Sequence, residues 1–333
     1  MTSPEVDDTA ASAFFAEFGE AARKLAPVAI VIAAYNEADV LGQVIEALPA
    51  EICRLKTAVL VVSDGSKDKT ARVAKDHGAL VADVPVNRGQ GAALRLGYRL
   101  AREGGARYIV TTDADGQYNP AEMERVLAPV VAGEADFVTG SRKLGSQETN
   151  DPVRRLGTWV FAVTISLLTR QHVTDSSFGL RAMRAEVTGA IRLEQPQYQS
   201  SELLIAVLAH GFRVVEVPAT IHKRQVGESK KGHNAIYGLK FAGVVLGTWW
   251  RERQRRVPGS GSTPGSGDGR RADDRSARPS AQDGEPPRRA PEPLAASGPD
   301  GAGPSSSTSG TPAASAAETT ESDSLDPRSA KRR

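Results

Sequence analysis

The sequence contains a single cysteine, Cys53, among 333 residues. One cysteine cannot form a disulfide within the chain, and no second thiol is present to help build a zinc site. We predict that Cys53 is buried as a small apolar residue, the usual setting of an unpaired cysteine. The scarcity of cysteine fits a reducing, cytoplasmic compartment.

Long apolar runs and an excess of charge are also missing. No segment reaches the roughly 18–20 consecutive apolar residues of a membrane-spanning helix, and the first residues lack the basic and apolar pattern of a secretory signal. The chain carries 42 Lys and Arg against 40 Asp and Glu. This balance gives no electrostatic reason to expect nucleic acid as a partner.

Composition divides the chain into segments. From residue 257 onward, Pro, Gly, Ser and Ala replace any periodic apolar pattern. Such a sequence cannot bury enough apolar surface to offset the entropy lost on ordering, so we predict a disordered tail over 257–333. Before it we predict an N-terminal helical segment over 1–27, one α/β domain over 28–232 and an amphipathic helix over 233–256.

Short apolar runs alternate with helical periodicity in the first half of the domain. The predicted strands cover 28–34, 57–62, 80–84, 108–112 and 137–139. The predicted helices cover 39–48, 68–77, 91–102 and 120–131. This alternation is typical of a mainly parallel sheet, whose ligands bind beyond the carboxyl ends of the strands. A polar cluster follows each of the first four predicted strands.

The cluster after the fourth strand carries the strongest chemical signal. Asp113 and Asp115 are separated by one residue at the end of an apolar strand, so their carboxylates can converge on one cation. Hard divalent ions such as Mg²⁺ prefer oxygen ligands, and Gln117 could add a third. The alternative is a turn in which Asp115 and Gly116 cap the next helix.

Two other clusters admit both a functional and a structural interpretation. Asp64 could bind the base or ribose of a nucleotide, or belong to a turn before the next helix. The Gly89-Gln90-Gly91 segment is not a dinucleotide fingerprint, because it does not follow the first strand. We expect these glycines to let a loop pass close to a sugar or a helix.

Four of these segments together resemble the family-2 glycosyltransferases: residues 34–38, 61–70, 87–91 and 113–117. Within that family, dolichyl-phosphate mannose synthase and bacterial polyprenyl-phosphate glycosyltransferases are similar in further segments. These segments are 140–142, 178–182, 211–218 and 224–230. The chain departs from the family pattern at Ala33, where proline is usual, and at Ser63, where a second acid is usual. The second departure leaves Asp64 as the better candidate for recognition of the base.

The resemblance implies a GT-A type fold in a single domain, with Mg²⁺ or Mn²⁺ as cofactor and a UDP- or GDP-linked sugar as donor. The implied metal ligands are Asp113, Asp115 and Gln117. The implied donor contacts are Tyr35, Glu37, Asp64, Gly89, Asp113, Arg224 and Lys230.

The resemblance also implies an inverting transfer, with Asp115, Arg142, Arg181 and Glu202 as candidate catalytic residues. Two classes of acceptor remain open. A polyprenyl phosphate is already anionic and needs positioning cations, for which Arg142 and Arg181 are the candidates. A soluble or cell-envelope hydroxyl needs a base, for which Glu202 is the candidate. Glu202 fits equally well as a first-turn acid favoured by the helix dipole.

Two apolar segments, 156–169 and 235–250, carry tryptophan beside basic residues, as at a membrane interface. We expect peripheral contact with the cytoplasmic face of a membrane, or else helices packed on the sheet. A sugar nucleotidyltransferase is disfavoured because no glycine- and arginine-rich loop follows the first strand. A non-catalytic nucleotide-sugar binding module is disfavoured by the intact Asp113 and Asp115.

Overall fold

The structure is a computed structural model that describes residues 3–148, 152–197, 199–223 and 234–256. The predicted tail over 257–333 lies outside the described residues.

Strands and helices alternate through the first half of the described chain. The strands are β1 Val28–Ala34, β2 Glu51–Ile52, β3 Leu55–Asp64, β4 Leu80–Val84, β5 Tyr108–Asp113, β6 Phe137–Gln147, β7 Arg181–Arg184 and β8 Val214–Ile221. The α-helices are α1 Ser3–Arg23, α2 Ala38–Glu46, α3 Thr70–Asp76, α4 Gln90–Glu103, α5 Met123–Val131, α6 Pro152–Thr169, α7 Ala185–Ala190, α8 Gln199–Ala209 and α9 Asn234–Arg256. All five predicted strands are confirmed, although β6 is longer than the pattern predicted. The four helices predicted between 39 and 131 are also present.

The described strands form one mixed sheet in the order β2-β3-β1-β5-β7-β6-β8, with β4 beside β3. Strands β1, β3, β4 and β5 pair in parallel, as predicted. Strand β7 lies antiparallel between β5 and β6, whereas β6 and β8 are parallel to each other. This antiparallel insertion brings Arg181 into register with Thr111 of β5, two residues before Asp113.

Strand β1 is buried on both faces because its side chains alternate between two apolar cores. Ile30 and Ile32 face the core that also contains helices α2 and α5. Ala29 and Val31 face the core that contains α4 and α8. A continuous apolar run can form such a central strand because neither face meets water.

Helices α6 and α9 pack against each other beside this second core. The rings of Phe161 and Phe241 lie 4.0 Å apart, and the Trp249 indole donates a hydrogen bond to the Leu168 carbonyl over 2.9 Å. Among the described residues, neither these helices nor any other is long and apolar enough to cross a bilayer.

The prediction for Cys53 was wrong in its degree of burial. Cys53 is only half-buried and lies in the tight turn between β2 and β3. Its backbone is left-handed, with φ 51°, as is that of Arg54, with φ 61°. A two-residue hairpin turn requires such angles, so the position of Cys53 follows from the turn rather than from apolar packing.

Candidate active site

The parallel strands β1, β3 and β5 bring their carboxyl ends to one edge of the sheet. Ala34 is in register with Ser63, and Ala33 with Asp113. The polar segments that follow these strands are therefore neighbours, as the sequence predicted. Hydrogen bonds between the segments fix their arrangement.

Asp113 is the last residue of β5 and Asp115 lies in the turn that follows, and both are half-buried. The Gln90 amide donates a hydrogen bond to Asp113 Oδ1 over 3.0 Å, and the Gln117 backbone N–H donates to Asp115 Oδ1 over 3.2 Å. A Cβ on Gly179 would lie 2.8 Å from Asp113 Oδ2. Glycine at this position therefore leaves room for the carboxylate.

Hard carboxylate oxygens at Asp113 and Asp115 fit a Mg²⁺ or Mn²⁺ ion. In the described part of the chain, no group of three His, Cys, Asp or Glu residues could hold a metal. Two carboxylates still suffice for Mg²⁺, which usually completes its shell with water and substrate phosphate. The donor set therefore fits a metal that binds together with a diphosphate.

Gln117 ties this segment to the end of β8. Its side-chain amide donates to the His222 carbonyl over 2.8 Å, and its own carbonyl accepts from the His222 N–H over 2.8 Å. The prediction that Gln117 is a metal ligand stays a prediction. Arg224 and Lys230, the predicted basic contacts to the donor, lie outside the described residues.

The segments that follow β1 and β3 are joined by hydrogen bonds. Asn36, whose backbone is left-handed with φ 52°, accepts from the Lys67 N–H over 2.7 Å. The Glu37 N–H donates to Thr70 Oγ1 over 2.9 Å, and the Ala38 N–H donates to Asp68 Oδ2 over 3.2 Å. Tyr35 and Glu37, two predicted donor contacts, are both half-buried here.

Asp64 is buried, and its carboxylate holds the segment after β4. Its Oδ2 accepts from the N–H groups of Arg88 and Gly89, each over 2.7 Å. The Arg88 side chain also donates to Oδ1 over 3.3 Å. Asp64 therefore stabilises the segment after β4. Its predicted contact with the nucleotide base stays a prediction.

The structure gives a different reason for the glycines at 89 and 91. A Cβ on Gly89 would lie 2.5 Å from the Pro196 carbonyl oxygen, and one on Gly91 would lie 2.1 Å from that of Gln195. Gly89 also has a φ of 97°. The glycines thus permit close contact with the segment before α8, which sequence reasoning did not identify.

Arg142 is held in a fixed orientation by Asp175. Its guanidinium donates to Asp175 Oδ2 over 2.6 Å, to Oδ1 over 3.2 Å and to Ser177 Oγ over 2.8 Å. The backbone N–H groups of Thr174 and Asp175 donate to Glu216 over 2.8 and 2.9 Å. Burial raises the pKa of Glu216 despite these hydrogen bonds.

Arg181 is 2% exposed and donates a hydrogen bond to the Phe178 carbonyl. Burial lowers the pKa of its guanidinium, while the neighbouring Tyr98, Tyr118 and Asp113 act in the opposite direction. Arg181 forms no ion pair with a carboxylate in the described part of the chain. A buried cation of this kind favours an anion beside it.

Tyr118 contacts the segment that precedes Arg181 and lies near Asp113. Its hydroxyl accepts from the Gly179 N–H over 2.8 Å, and its ring lies 4.9 Å from that of Phe178. Burial, followed by the charge of Asp113, raises the pKa of Tyr118. The Thr111 hydroxyl also donates to the Gly179 carbonyl over 2.9 Å.

The carboxylate of Glu202, the candidate base, contacts the segment before α8 and Arg251 of α9. It is fully buried, and its carboxylate accepts from the N–H groups of Glu194 and Gln195 over 2.8 and 3.0 Å. Arg251 of α9 pairs with it over 3.0 Å. A base must reach the proton that it removes. These contacts give Glu202 a structural role, and its predicted role as a base stays a prediction.

Sequence reasoning missed Gln90, Asp175 and Glu216. Glu216 had a detectable signal, because it is a carboxylate within the apolar strand β8. An acid at such a position is favourable only when it is hydrogen-bonded. Gln90 and Asp175 had no such signal, since their partners come from distant parts of the sequence.

Helices α6 and α9 pack against each other, and both expose apolar side chains. We call this surface the apolar stripe; it consists of Leu156, Trp159, Val160, Val163 and Leu167 on α6 with Leu246 and Trp250 on α9. The α6 members recur every three or four residues and so share one helix face. Arg155 is exposed beside the stripe, and the Arg253 guanidinium lies 5.1 Å from the centre of the Trp249 ring.

Comparisons with known proteins agree with this architecture. The model of glycosyl transferase family 2 matches residues 29–192. An undecaprenyl-phosphate mannosyltransferase of Micrococcus luteus is 33% identical over 67% of this chain and 93% of its own length. A polyprenol monophosphomannose synthase of Mycolicibacterium smegmatis is 35% identical over 64% of this chain and 83% of its own length.

A dolichyl-phosphate hexose transferase of Haloferax volcanii is 33% identical over 61% of this chain and 86% of its own length. Among solved structures, glucosyl-3-phosphoglycerate synthase of Mycobacterium tuberculosis superposes with a TM-score of 0.53 over 78% of this chain and 86% of its own. At 21% identity this likeness concerns the fold alone, and it confirms the predicted GT-A type.

Proposed function

The chain belongs to glycosyl transferase family 2, and we propose that it moves a sugar from a nucleoside diphosphate onto a polyprenyl phosphate. The observation that carries this proposal is the arrangement of Arg142 and Arg181 next to Asp113. Arg142 of β6, fixed by Asp175, and the buried Arg181 at the start of β7 are two cations near a carboxylate suited to a metal–diphosphate. The relatives named above act on lipid phosphates, according to their names.

The donor occupies the edge formed by the segments after β1, β3, β4 and β5. Asp113 and Asp115 would hold the metal, which when bound would supply positive charge to the leaving diphosphate. Gln90 orients Asp113 through its hydrogen bond of 3.0 Å. Tyr35 and Glu37 contact the nucleoside, while Asp64 keeps the neighbouring segment in place. The family resemblance assigns Arg224 and Lys230, which lie outside the described residues, to the same diphosphate.

The acceptor phosphate binds to Arg142 and Arg181. Asp175 fixes the Arg142 guanidinium, and the backbone of Asp175 is fixed in turn by Glu216. A phosphate oxygen attacks the anomeric carbon from the side opposite the diphosphate, which inverts the configuration as that bond breaks. The nucleophile is anionic at neutral pH, so the step needs no general base, and the position of Glu202 supports this choice over a hydroxyl acceptor.

The lipid chain reaches the site at the surface of a membrane. The apolar stripe supports peripheral contact, because tryptophans on a helix face beside arginines are favourable at a lipid interface. Helices α6 and α9, which carry the stripe, lie against α8. We place the enzyme at the cytoplasmic face, where nucleotide sugars are made.

A label-transfer assay tests this function. Purified full-length protein receives radiolabelled UDP-glucose, UDP-N-acetylglucosamine or GDP-mannose with Mn²⁺, and undecaprenyl phosphate in detergent. We expect label in the lipid phase with one class of donor, and none when EDTA is added. Metal-dependent release of nucleoside diphosphate without lipid label would instead support a hydroxyl acceptor and contradict the proposal.

A further inference from the structure

The buried pair formed by Glu202 and Arg251 has no part in the proposed chemistry. Glu202 is fully buried, and the Arg251 side chain is 17% exposed. Placing charges out of water is costly, and the cost is recovered only when the hydrogen-bond geometry is good. Glu202 meets this condition with two backbone N–H groups and one guanidinium as donors.

The backbone that Glu202 holds belongs to the segment Glu194-Gln195-Pro196. The Arg251 guanidinium of α9 donates to the Glu194 carboxylate over 3.0 Å. It also donates to the carbonyl of Arg192, two residues before the segment, over 3.1 Å. Arg95 of α4 donates to the Gln195 carbonyl over 2.9 Å. The segment is therefore fixed by charged groups from helices α4, α8 and α9.

This segment is the surface against which the glycine turn at 89–91 is packed. The Gly91 N–H donates to the Pro196 carbonyl over 2.8 Å. Side chains at 89 or 91 would collide with the carbonyl oxygens of Pro196 or Gln195. A displacement of the segment must therefore displace the turn.

The turn carries Gln90, whose amide holds Asp113 Oδ1 over 3.0 Å. On its other side the turn is fixed by Asp64, through the Arg88 and Gly89 N–H groups. A continuous series of hydrogen bonds thus joins α9 to the carboxylate at the end of β5.

We propose that Glu202 and Arg251 are positioning residues for the nucleotide-sugar donor. They fix residues 194–196, which set the 89–91 turn and with it the orientation of Gln90 toward Asp113. The proposal rests on the proposed function, because it assumes that the metal and diphosphate bind at Asp113. It gives α9 an indirect role in the donor site.

The chain offers a matched control in a second buried carboxylate with an arginine partner. Asp136 is 5% exposed and accepts from the Arg213 N–H over 2.8 Å and from its guanidinium over 2.9 Å. This pair lies at the amino ends of β6 and β8, at the edge of the sheet away from Asp113. Its loss should destabilise the fold without changing the donor site.

The test compares Arg251→Met with Arg213→Met in the full-length protein. Binding of UDP, and separately of GDP, is measured by calorimetry with Mn²⁺, and the thermal midpoint of each variant is recorded. We expect Arg251→Met to raise the Kd of the preferred nucleotide about tenfold, as for loss of a charged hydrogen bond. Arg213→Met should change it less than about twofold, within the usual effect of a distant surface change.

Two further variants keep the test decisive if Arg251→Met does not fold. Glu202→Gln preserves side-chain size and should raise the same Kd while the KM for polyprenyl phosphate stays unchanged. Combining it with Gln90→Ala should give less than the sum of the two single effects, because both act through Asp113.

The outcomes separate this inference from the proposed function. Equal effects of Arg251→Met and Arg213→Met, or additive effects of Glu202→Gln and Gln90→Ala, would overturn the inference alone. If the unaltered protein bound neither UDP nor GDP in the presence of Mn²⁺, the proposed function would be overturned, and the inference with it.

Discussion

The two halves of the sheet present their functional groups in different ways. In the donor half, built on β1, β3, β4 and β5, polar segments hydrogen-bond to one another through Asn36, Asp64 and Asp68. In the acceptor half, built on β6, β7 and β8, the segment between α6 and β7 is held by Glu216 and Tyr118. It pairs with Arg142 of β6 and leads into Arg181 of β7. The described elements after β6 also include α6 and α9, which carry the apolar stripe.

This difference matches two ligands of different chemistry. A nucleoside diphosphate is polar over its whole length, and a rigid polar edge can bind all of it. A polyprenyl phosphate is charged only at one end, so its site needs cations for the head and apolar surface for the chain. The following predictions test this division, beginning with the largest expected effect.

Replacement of Asp115 by Asn should break the donor half. The substitution removes a carboxylate from the proposed metal site, so transfer should fall by roughly 10²–10³-fold, in line with the several kcal/mol that a bound metal supplies. Initial rates of label transfer measure the loss. Asp76→Asn, on an exposed carboxylate of α3, is the control. An Asp115→Asn enzyme with half of the original rate would refute a metal at this position.

Replacement of Arg142 by Lys should damage only the acceptor half. Lysine keeps the charge but cannot make both hydrogen bonds to Asp175. We expect the KM for polyprenyl phosphate to rise about tenfold, as for one charged hydrogen bond lost, with the donor KM unchanged. Arg184→Lys, on a half-exposed arginine of β7, serves as the control. A rise in the donor KM alone would show that Arg142 belongs to the donor half and would contradict this assignment.

Replacement of Trp159 by Glu should weaken membrane contact. Burial of a large apolar side chain contributes about 1.5–3 kcal/mol, so the fraction of protein that sediments with lipid vesicles should fall about tenfold or more. Transfer to a short, water-soluble polyprenyl phosphate should not change. The control is Val86→Glu, because Val86 is 58% exposed in the donor half. Equal loss of sedimentation in both variants would argue against the apolar stripe as the docking surface.

How far the sequence predicts these two halves depends on how local their interactions are. Strands β1, β3, β4 and β5 have strong apolar runs and pair in parallel, as their alternation with helices predicts, so the donor edge was predictable. The antiparallel insertion of β7 between β5 and β6 was not. Pairing of that kind depends on contacts between segments about 70 residues apart, as for Thr111 and Arg181, and hydrophobic periodicity does not encode it.

The site residues show the same limit. Asp113 and Asp115 could be identified because both carboxylates follow one strand. The structural role of Glu202 could not, since its partners are the backbone of Glu194 and Gln195 and the side chain of Arg251. A carboxylate at the start of a helix has the same local pattern whether it is a base, a first-turn acid or an anchor.

The smallest predicted effect concerns stability and pH. Burial raises the pKa of Glu216 above its ordinary value of 4.5, although hydrogen bonds from Asp175 and Thr174 oppose the shift. The folded state therefore holds this proton more tightly than the unfolded state. The resulting stabilisation is complete below about pH 4.5 and is lost as pH rises through the raised pKa.

Glu216→Gln should therefore make the free energy of unfolding fall less steeply between about pH 4.5 and 7, as measured by urea titration. The control is Asp68→Asn in the donor half. Burial opposes a lowered pKa at Asp68, but hydrogen bonds from Thr70 and Ala38 outweigh it and lower the pKa below 3.8. Its stabilisation is lost only as pH falls below that value. An unchanged slope in Glu216→Gln would show that the Glu216 carboxylate is not the source of this pH dependence.

The most direct test of the account compares two acceptors that differ only in the phosphate. Label transfer is measured with undecaprenyl phosphate and with undecaprenol, under the same donor, Mn²⁺ and detergent. We predict transfer to the phosphate alone, because we assign Arg142 and Arg181 to an anionic acceptor and because Glu202 is already held by its own hydrogen bonds. Equal transfer to undecaprenol would contradict it.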